Sequence, residues 1–239
     1  MGFSAVTTGD LELARGALRE LNVPASLTTL EEAMAGLEDH REGPVLLVEP
    51  SDDVCAGAAG DATRVLRAMV EHGVPDAVVV INDPETVAVL GDAKPGEHRA
   101  VEIGGKSGDV GSEPLPLVVE LVSASDGRFE VEGHGKRLAG MSGAEIYMGP
   151  CAVVRHGGVT ILLTSRRTPP SDLGQWRSQG VDPEGFFAVG VKAATEHRDA
   201  YEPIAAAGYV LDLPGPCAAN LGRLPFRSVR RPIYPLDGL

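Results

Sequence analysis

The sequence predicts an α/β protein: a three-layer-like domain of parallel strands and helices, with an antiparallel β-rich middle section and a short helical N-terminal arm. Three observations carry this. The apolar run Val45 to Val48 is followed by an acidic, glycine-spaced turn and then by Arg64, Val65, Leu66 and Met69, which reads as a strand buried on both faces and the helix after it. Strand and helix alternate again at Asp76–Ile81 and Pro84–Leu90, and once more between Phe186 and Leu213, as a parallel sheet with crossover helices requires. From Ala100 onward, by contrast, extended segments separated by Gly, Ser and Asp turns replace the alternation.

Taken in order, residues 1–43 read as an arm of two short helices, Asp10–Leu21 and Thr29–His40, with the apolar stripe Leu11, Leu13, Ala14, Leu18 and Leu21 and caps at Thr8 and Thr28. Asn22-Val23-Pro24 separates them. The domain proper spans 44–239. Its first strand ends at Glu49-Pro50, and Asp61 or Thr63 is placed to cap the helix from Arg64. Asp83 is placed to cap the next. The extended segments are RAVEIGG from Arg99, PLVVELVSAS from Pro116, RFEVEG from Arg128, EIYMGPCAVVRHGG from Glu145 and VTILLTSR from Val159. Gly157-Gly158 reads as a hairpin turn between the last two, and the whole stretch as an antiparallel subdomain. The Ser/Gly clusters 108–112 and 133–143 are loops long enough to cover a cleft. The α/β pattern then resumes with a helix at Leu173–Ser178, a strand at Phe186–Val191, a helix at Ala194–Ala207 and a strand at Tyr209–Leu213. The Pro- and Arg-rich end, from Leu224, reads as an extended wrap over the surface.

Composition excludes several functions. The 239 residues carry a net charge of −13, with 43% apolar and 23% charged residues, so one sizeable core is expected and nucleic acid or an anionic membrane would be repelled. With no apolar run of spanning length and no basic-then-apolar leader, the cytoplasm is the expected location. Three widely spaced cysteines, Cys55, Cys151 and Cys217, indicate structural thiols and neither a disulfide framework nor a CxxC metal site. The six histidines are isolated, without HExxH or an i, i+4 pair, so no sequence-local zinc site exists, and no GxSxG elbow is present.

Function is therefore sought in the loop after the first strand. Glycine-rich strand-to-helix loops suit phosphate, but this one holds Glu49, Asp52, Asp53 and Asp61 and lacks both GxGxxG and a P-loop. A cation, an amine or plain turn and cap chemistry fits the charge better, with Gly57 and Gly60 supplying positive φ.

The run EPSDDVCAGAAGDAT, Glu49 to Thr63, resembles the DPxDNVGGGxPGDGT signature of the C-terminal domain of the MlrC family, the microcystin-degrading metallopeptidases and their relatives. Asp52, Val54, Gly57, Gly60, Asp61 and Thr63 match, while Asp53, Cys55, Ala56 and Ala59 replace the family's Asn, two glycines and proline. The similarity continues in order through NDPETV at Asn82, EIGGKSG at Glu102, LLTSRRTPP at Leu162, GVDPEG at Gly180 and RLPFRSVRRPIYPLD at Arg223. The stretch VGVKAATEHRDAYEPIA from Val189 resembles VVVKSxxHFRAAFxPIA. There Lys192 and Arg198 match, Ala193 stands for the family's Ser, Glu196 for its His and His197 for its Phe.

The resemblance implies an MlrC-type C-terminal domain that supplies a substrate cleft to a zinc-dependent peptidase or amide hydrolase. In the family, zinc and its ligands belong to a larger N-terminal domain, so no cofactor is expected within this chain. The candidate substrate-binding residues are Asp52, Asp53, Gly57, Gly60, Asp61, Thr63, Lys106, Arg166, Lys192, Glu196, His197 and Arg198, with no metal ligand and no catalytic residue named. The expected partners are a metal-binding MlrC N-terminal-like domain or a second copy in a homo-oligomer, and a small peptide or amide substrate, with no nucleic acid or membrane. The other reading is a non-catalytic module that binds a small ligand at Asp52–Thr63 or oligomerises. Lys106, Arg166, Lys192 and Arg198 would either hold a substrate carboxylate or lock the acidic loop by ion pairing.

Overall fold

The structure, a computed structural model, describes residues 26–109, 112–133, 140, 143–217, 219–232 and 236–237. The first expected helix, Asp10–Leu21, its cap Thr8 and parts of the two Ser/Gly loops lie outside these residues.

The described chain opens with β1 (Leu27–Thr28) and α1 (Leu30–Leu37). The helix starts on a capping box: the Thr29 side chain accepts from the Glu32 N–H, and the Thr29 N–H donates to the Glu32 carboxylate. Thr29, and not the expected Thr28, is thus the cap, because Thr28 is taken into a strand. Then come β2 (Val45–Val48), a 3-10 turn at Pro50–Asp52, α2 (Arg64–Glu71), β3 (Ala77–Asn82) and α3 (Pro84–Val89). Asp83 caps α3 through the Thr86 N–H at 3.0 Å. At α2 neither Asp61 nor Thr63 caps: Thr63 holds the cap position without a side-chain bond, since its hydroxyl donates to the Glu113 carbonyl instead.

The middle section contributes β4 (His98–Ile103), β5 (Leu115–Ser125), β6 (Arg128–Glu130), β7 (Glu145–Tyr147), β8 (Cys151–His156) and β9 (Val159–Thr164). The chain ends with α4 (Gly174–Arg177), β10 (Ala188–Val191), α5 (Arg198–Tyr201) and β11 (Ala207–Leu211). The helix expected over Ala194–Ala207 is one turn long. Pro203 has no N–H to continue it and the chain passes into a 3-10 turn at Glu202–Ile204. The residues from Ala207 are claimed by pairing with β2.

Nine strands form one sheet in the order β1-β11-β2-β10-β3-β9-β8-β5-β4. The first six run parallel to their neighbours, and β8, β5 and β4 are added antiparallel. Among the described residues the antiparallel segments therefore extend the same sheet and do not build a separate subdomain, and only the β6–β7 ribbon stands apart. Gly157, at φ +55°, turns β8 into β9 as the first position of a primed two-residue hairpin turn requires. Burial follows the expected logic. β2, β9 and β10 are buried at every residue, whereas β5 alternates buried and exposed over its first half.

One face of the sheet packs on Val65, Leu66 and Met69 of α2 with α1 and α3, and the other on Trp176 of α4, Ala200 and Tyr201 of α5 and Phe129 of β6. This gives the three layers. The step from β2 to β3 crosses on the first face, and the return steps β9 to β10 and β10 to β11 cross on the second, as right-handed crossovers in opposite directions must. The helices expected at residues 29–40 and 84–90 both join the first layer. Among the described residues of the tail, 224–232 form no helix or strand, and Arg223 and Arg231 pair with Asp212 and Asp237 of the chain itself.

Candidate functional site

Because β2, β10, β3 and β9 are parallel and adjacent, the residues just past their ends meet on one edge, where α/β sheets place their sites. Those residues are Glu49 after β2, Lys192 after β10, Asn82 closing β3 and Thr164 closing β9.

Lys192 is the centre of this edge. Its Nζ lies 2.7 Å from Glu49 Oε2, 3.0 Å from Asp52 Oδ2 and 2.7 Å from the Ala62 carbonyl. Its three protons are therefore all taken. Burial alone would pull this ammonium down, but Glu49 and Asp52 outweigh it and hold it above its ordinary value. Burial pushes the Glu49 carboxyl up, against the pull of Lys192, and its Oε1 has no hydrogen-bond partner.

The acidic loop is tied down by its own carboxylates. Asp52 accepts from the N–H groups of Gly60 and Ala62, both at 2.8 Å; Gly60 takes φ +74° to present that N–H. Asp53 accepts from Cys55 and Ala56 on one oxygen and from Ala194 on the other. Asp61 accepts from the N–H groups of Lys106 and Ser107 and from the Ser107 hydroxyl, each at 2.8 Å. Buried anions held by backbone N–H groups are stable without any ligand.

Of the expected site residues, Asp52, Asp53, Gly57, Gly60, Asp61, Thr63, Lys106 and Lys192 are thus joined in or around one loop, with the Gly57 carbonyl accepting from Arg167. Lys106 reaches Asp83, both of whose oxygens lie 2.9 Å from its Nζ, and that carboxyl stands below its ordinary value because Lys106 and the Thr86 and Gly104 N–H groups outweigh its burial. Glu196 borders the loop, while Arg166, His197 and Arg198 stand elsewhere. Arg166 stacks over the Tyr147 ring at 4.4 Å, and exposed Arg198 pairs with Glu202 one helical turn on. His197 is buried, which lowers its pKa, and its Nδ1 has no partner.

Glu196 comes within 4.8 Å of the Asp53 and Cys55 ligand atoms. This trio does not fit zinc well: it has no imidazole, and its buried carboxylate already accepts three backbone N–H groups.

Reading the residues alone misses Glu49 as a buried anion, Asp83 as the partner of Lys106, and a small cavity beneath the loop. The cavity is lined by Val54, Gly60, Asn82, Thr164, Gln175 and Tyr201, among others, and its volume is about 20 Å³. Gln175 and Tyr201 are themselves buried; Gln175 Oε1 has no hydrogen-bond partner, and the Tyr201 hydroxyl lies beside the Trp176 side chain. Burial raises the Tyr201 pKa, so the phenol is neutral. The Asp83-Pro84 pair is a legible signal for a cap; nothing in the local pattern marks Gln175 or Tyr201.

A doubly wound sheet with a polar site on its carboxyl edge defines the class, and comparison with known proteins places it among peptidase-related domains. The family model described as "MlrC C-terminus" matches residues 47–228, and the chain belongs to that family. It is 27% identical over 157 residues to "Microcystinase C" of Sphingomonas sp, which covers 65% of this chain and 29% of that protein. A crystal structure from Mesorhizobium sp. BNC1, named "Putative metallopeptidase", superposes with a TM-score of 0.73 at 25% identity, over 90% of this chain and 42% of that one. The chain thus spans less than half the length of either relative. No helix among the described residues is long and apolar enough to cross a membrane.

Proposed function

We propose that this chain acts as the C-terminal, cleft-forming part of an MlrC-type zinc-dependent peptidase or amide hydrolase, with the metal held by an N-terminal domain on the same or another polypeptide. The observation that supports it best is the family match across residues 47–228 to proteins more than twice as long. The zinc-dependent chemistry comes to this reading from the family resemblance. The misfit of the Asp53–Cys55–Glu196 trio to zinc is the reason for placing the metal outside the described residues.

In this reading the chain's own residues build a rigid wall. The Lys192–Glu49–Asp52 cluster fixes the loop after β2, and Asp61 and Asp83 fix the Gly104–Ser107 turn beside it. Between them lies an open hollow of about 200 Å³ lined by Ala59, Asp61, Asn82, Asp83, Lys106 and Ser107. Its rim presents hydrogen-bonding groups already oriented, the condition for holding a peptide backbone without a large ordering cost.

The test is complementation. The chain is mixed with, or fused behind, the N-terminal part of a Microcystinase C-type protein loaded with zinc, and hydrolysis of short peptides is followed by chromatography. Hydrolysis that requires both parts supports the proposal. The alternative is a non-catalytic binding or oligomerisation module, favoured by the loop's carboxylates being spent on internal contacts. Inactivity of a well-folded combination in which the relative's own C-terminal part is active would establish that alternative.

A further inference from the structure

We propose that the hollow on the flank of α2 binds a small monocarboxylate between Arg64 and Arg67. It shares no lining residue with the hollow beside Lys106 and needs no metal domain to form.

The sequence puts two cations where a helix least favours them. Arg64 is the first residue of α2, Arg67 follows one turn on, and the opening turn holds no acidic residue. The positive end of the macrodipole lies there, so an anion is favoured and a cation is not; like charges on one helix face also repel. The common remedy is missing, since Thr63 holds the cap position without a side-chain bond and its hydroxyl donates to the Glu113 carbonyl. Both arginines are half-buried, and among the described residues neither guanidinium has an ion pair or a hydrogen bond. The buried Glu49 charge reaches Arg64, but Lys192 and Asp52 weigh more at that carboxyl. Arg64 Nε is closed off without a partner, which leaves the terminal Nη groups to meet a ligand.

Charge and volume select the class. Both arginines line the hollow with apolar Leu30 and Ala68, and exposed Glu71 and Glu113 complete its wall. Neither glutamate pairs with either arginine, and a cation placed four residues before an acid is the weaker order for a helical pair. Side chains three residues apart start about 5–6 Å from each other, so one carboxylate can accept from both guanidinium forks. A phosphate dianion would meet the two glutamates with twice the charge, and an amine would meet the two arginines. The volume is about 350 Å³; at ~30 Å³ per water it has room for a molecule of roughly ten heavy atoms, whose apolar body would rest on Leu30 and Ala68.

The test uses the full chain, labelled with ¹⁵N and held at one ionic strength, with butyrate, inorganic phosphate and butylammonium as probes. Saturable shifts of the Arg64 and Arg67 Nε–H signals are expected with butyrate, at least tenfold tighter than with phosphate and absent with butylammonium. Arg67→Met and Arg64→Met should each weaken the butyrate response at least tenfold; the first keeps the test valid if the second, which also removes a charge near Glu49, fails to fold. No saturable response to butyrate, an equal response to phosphate, or an undiminished response in Arg67→Met would overturn the proposal and leave the two arginines to solvent and to passing contacts with Glu71 and Glu113.

Discussion

Replacing Lys192 by methionine keeps the length of the side chain and removes its charge, and the contacts around its Nζ set the cost. Asp52 loses one partner but keeps the Gly60 and Ala62 N–H groups. Glu49 fares worse: Oε2 loses Lys192 and Oε1 already has no partner, so a carboxyl that is 1% exposed is stranded. Breaking a buried pair from one side costs about 3–5 kcal/mol, on the order of 10 °C in melting temperature for a chain of this size. The cost should depend on pH. With Lys192 gone, the Glu49 pKa in the folded protein rises further above its unfolded value of 4.5, so the folded state binds the extra proton and the variant regains stability as pH falls toward that value. Urea denaturation of Lys192→Met at several pH values between 5 and 8 measures this directly. The double variant Lys192→Met/Glu49→Gln should recover much of the loss at pH 8. A loss below about 1 kcal/mol at pH 8, or one that does not shrink in acid, would refute the claim that Lys192 is the main partner of Glu49, ahead of the more weakly acting Arg64 charge.

Other outcomes rest on the same contacts. Tyr201→Phe should change stability by no more than about 1 kcal/mol in urea denaturation, because the buried hydroxyl it removes has only a weak contact with the Trp176 side chain. Asp83, held below its ordinary 3.8, contributes stability that is complete above that pH and lost as pH falls through its folded value; a comparison with Asp83→Asn across acid pH should show a difference that is flat above 3.8 and shrinks below it. Thr29→Ala should cost about 1 kcal/mol through loss of the capping box, read from the thermal midpoint. In thiol labelling of the native chain, exposed Cys55 should react while Cys151, buried on β8 with its pKa pushed up to about 12, stays inert.

The fold is legible in the sequence where burial on both faces leaves a continuous apolar run, as in Val45–Val48 and Ala77–Ile81, and where turn residues punctuate, as at Gly157. It is less legible where tertiary partners override local preference. The stretch after Lys192 has good helix formers, yet Asp53 anchors the Ala194 N–H and Pro203 ends the turn. Thr28 reads as a cap because its pairing with Leu211, far along the chain, cannot be seen locally. At the site, the acidic residues stand out as a cluster, but which of them serve the loop's own backbone depends on Gly60, Ala62, Lys106 and Ala194 reaching them in space. Gln175 and Tyr201 carry no pattern of their own; only the fold brings them to the wall of one cavity.

The most direct test of a metal held outside this chain is the zinc content of the purified 239-residue protein, by elemental analysis after dialysis against a weak chelator. No stoichiometric zinc is expected for the chain alone, and zinc retention only when an MlrC-type N-terminal domain is joined to it. About one tightly held zinc per chain in the isolated protein would contradict this division of labour, and would mean that dispersed residues of this chain form a complete metal site.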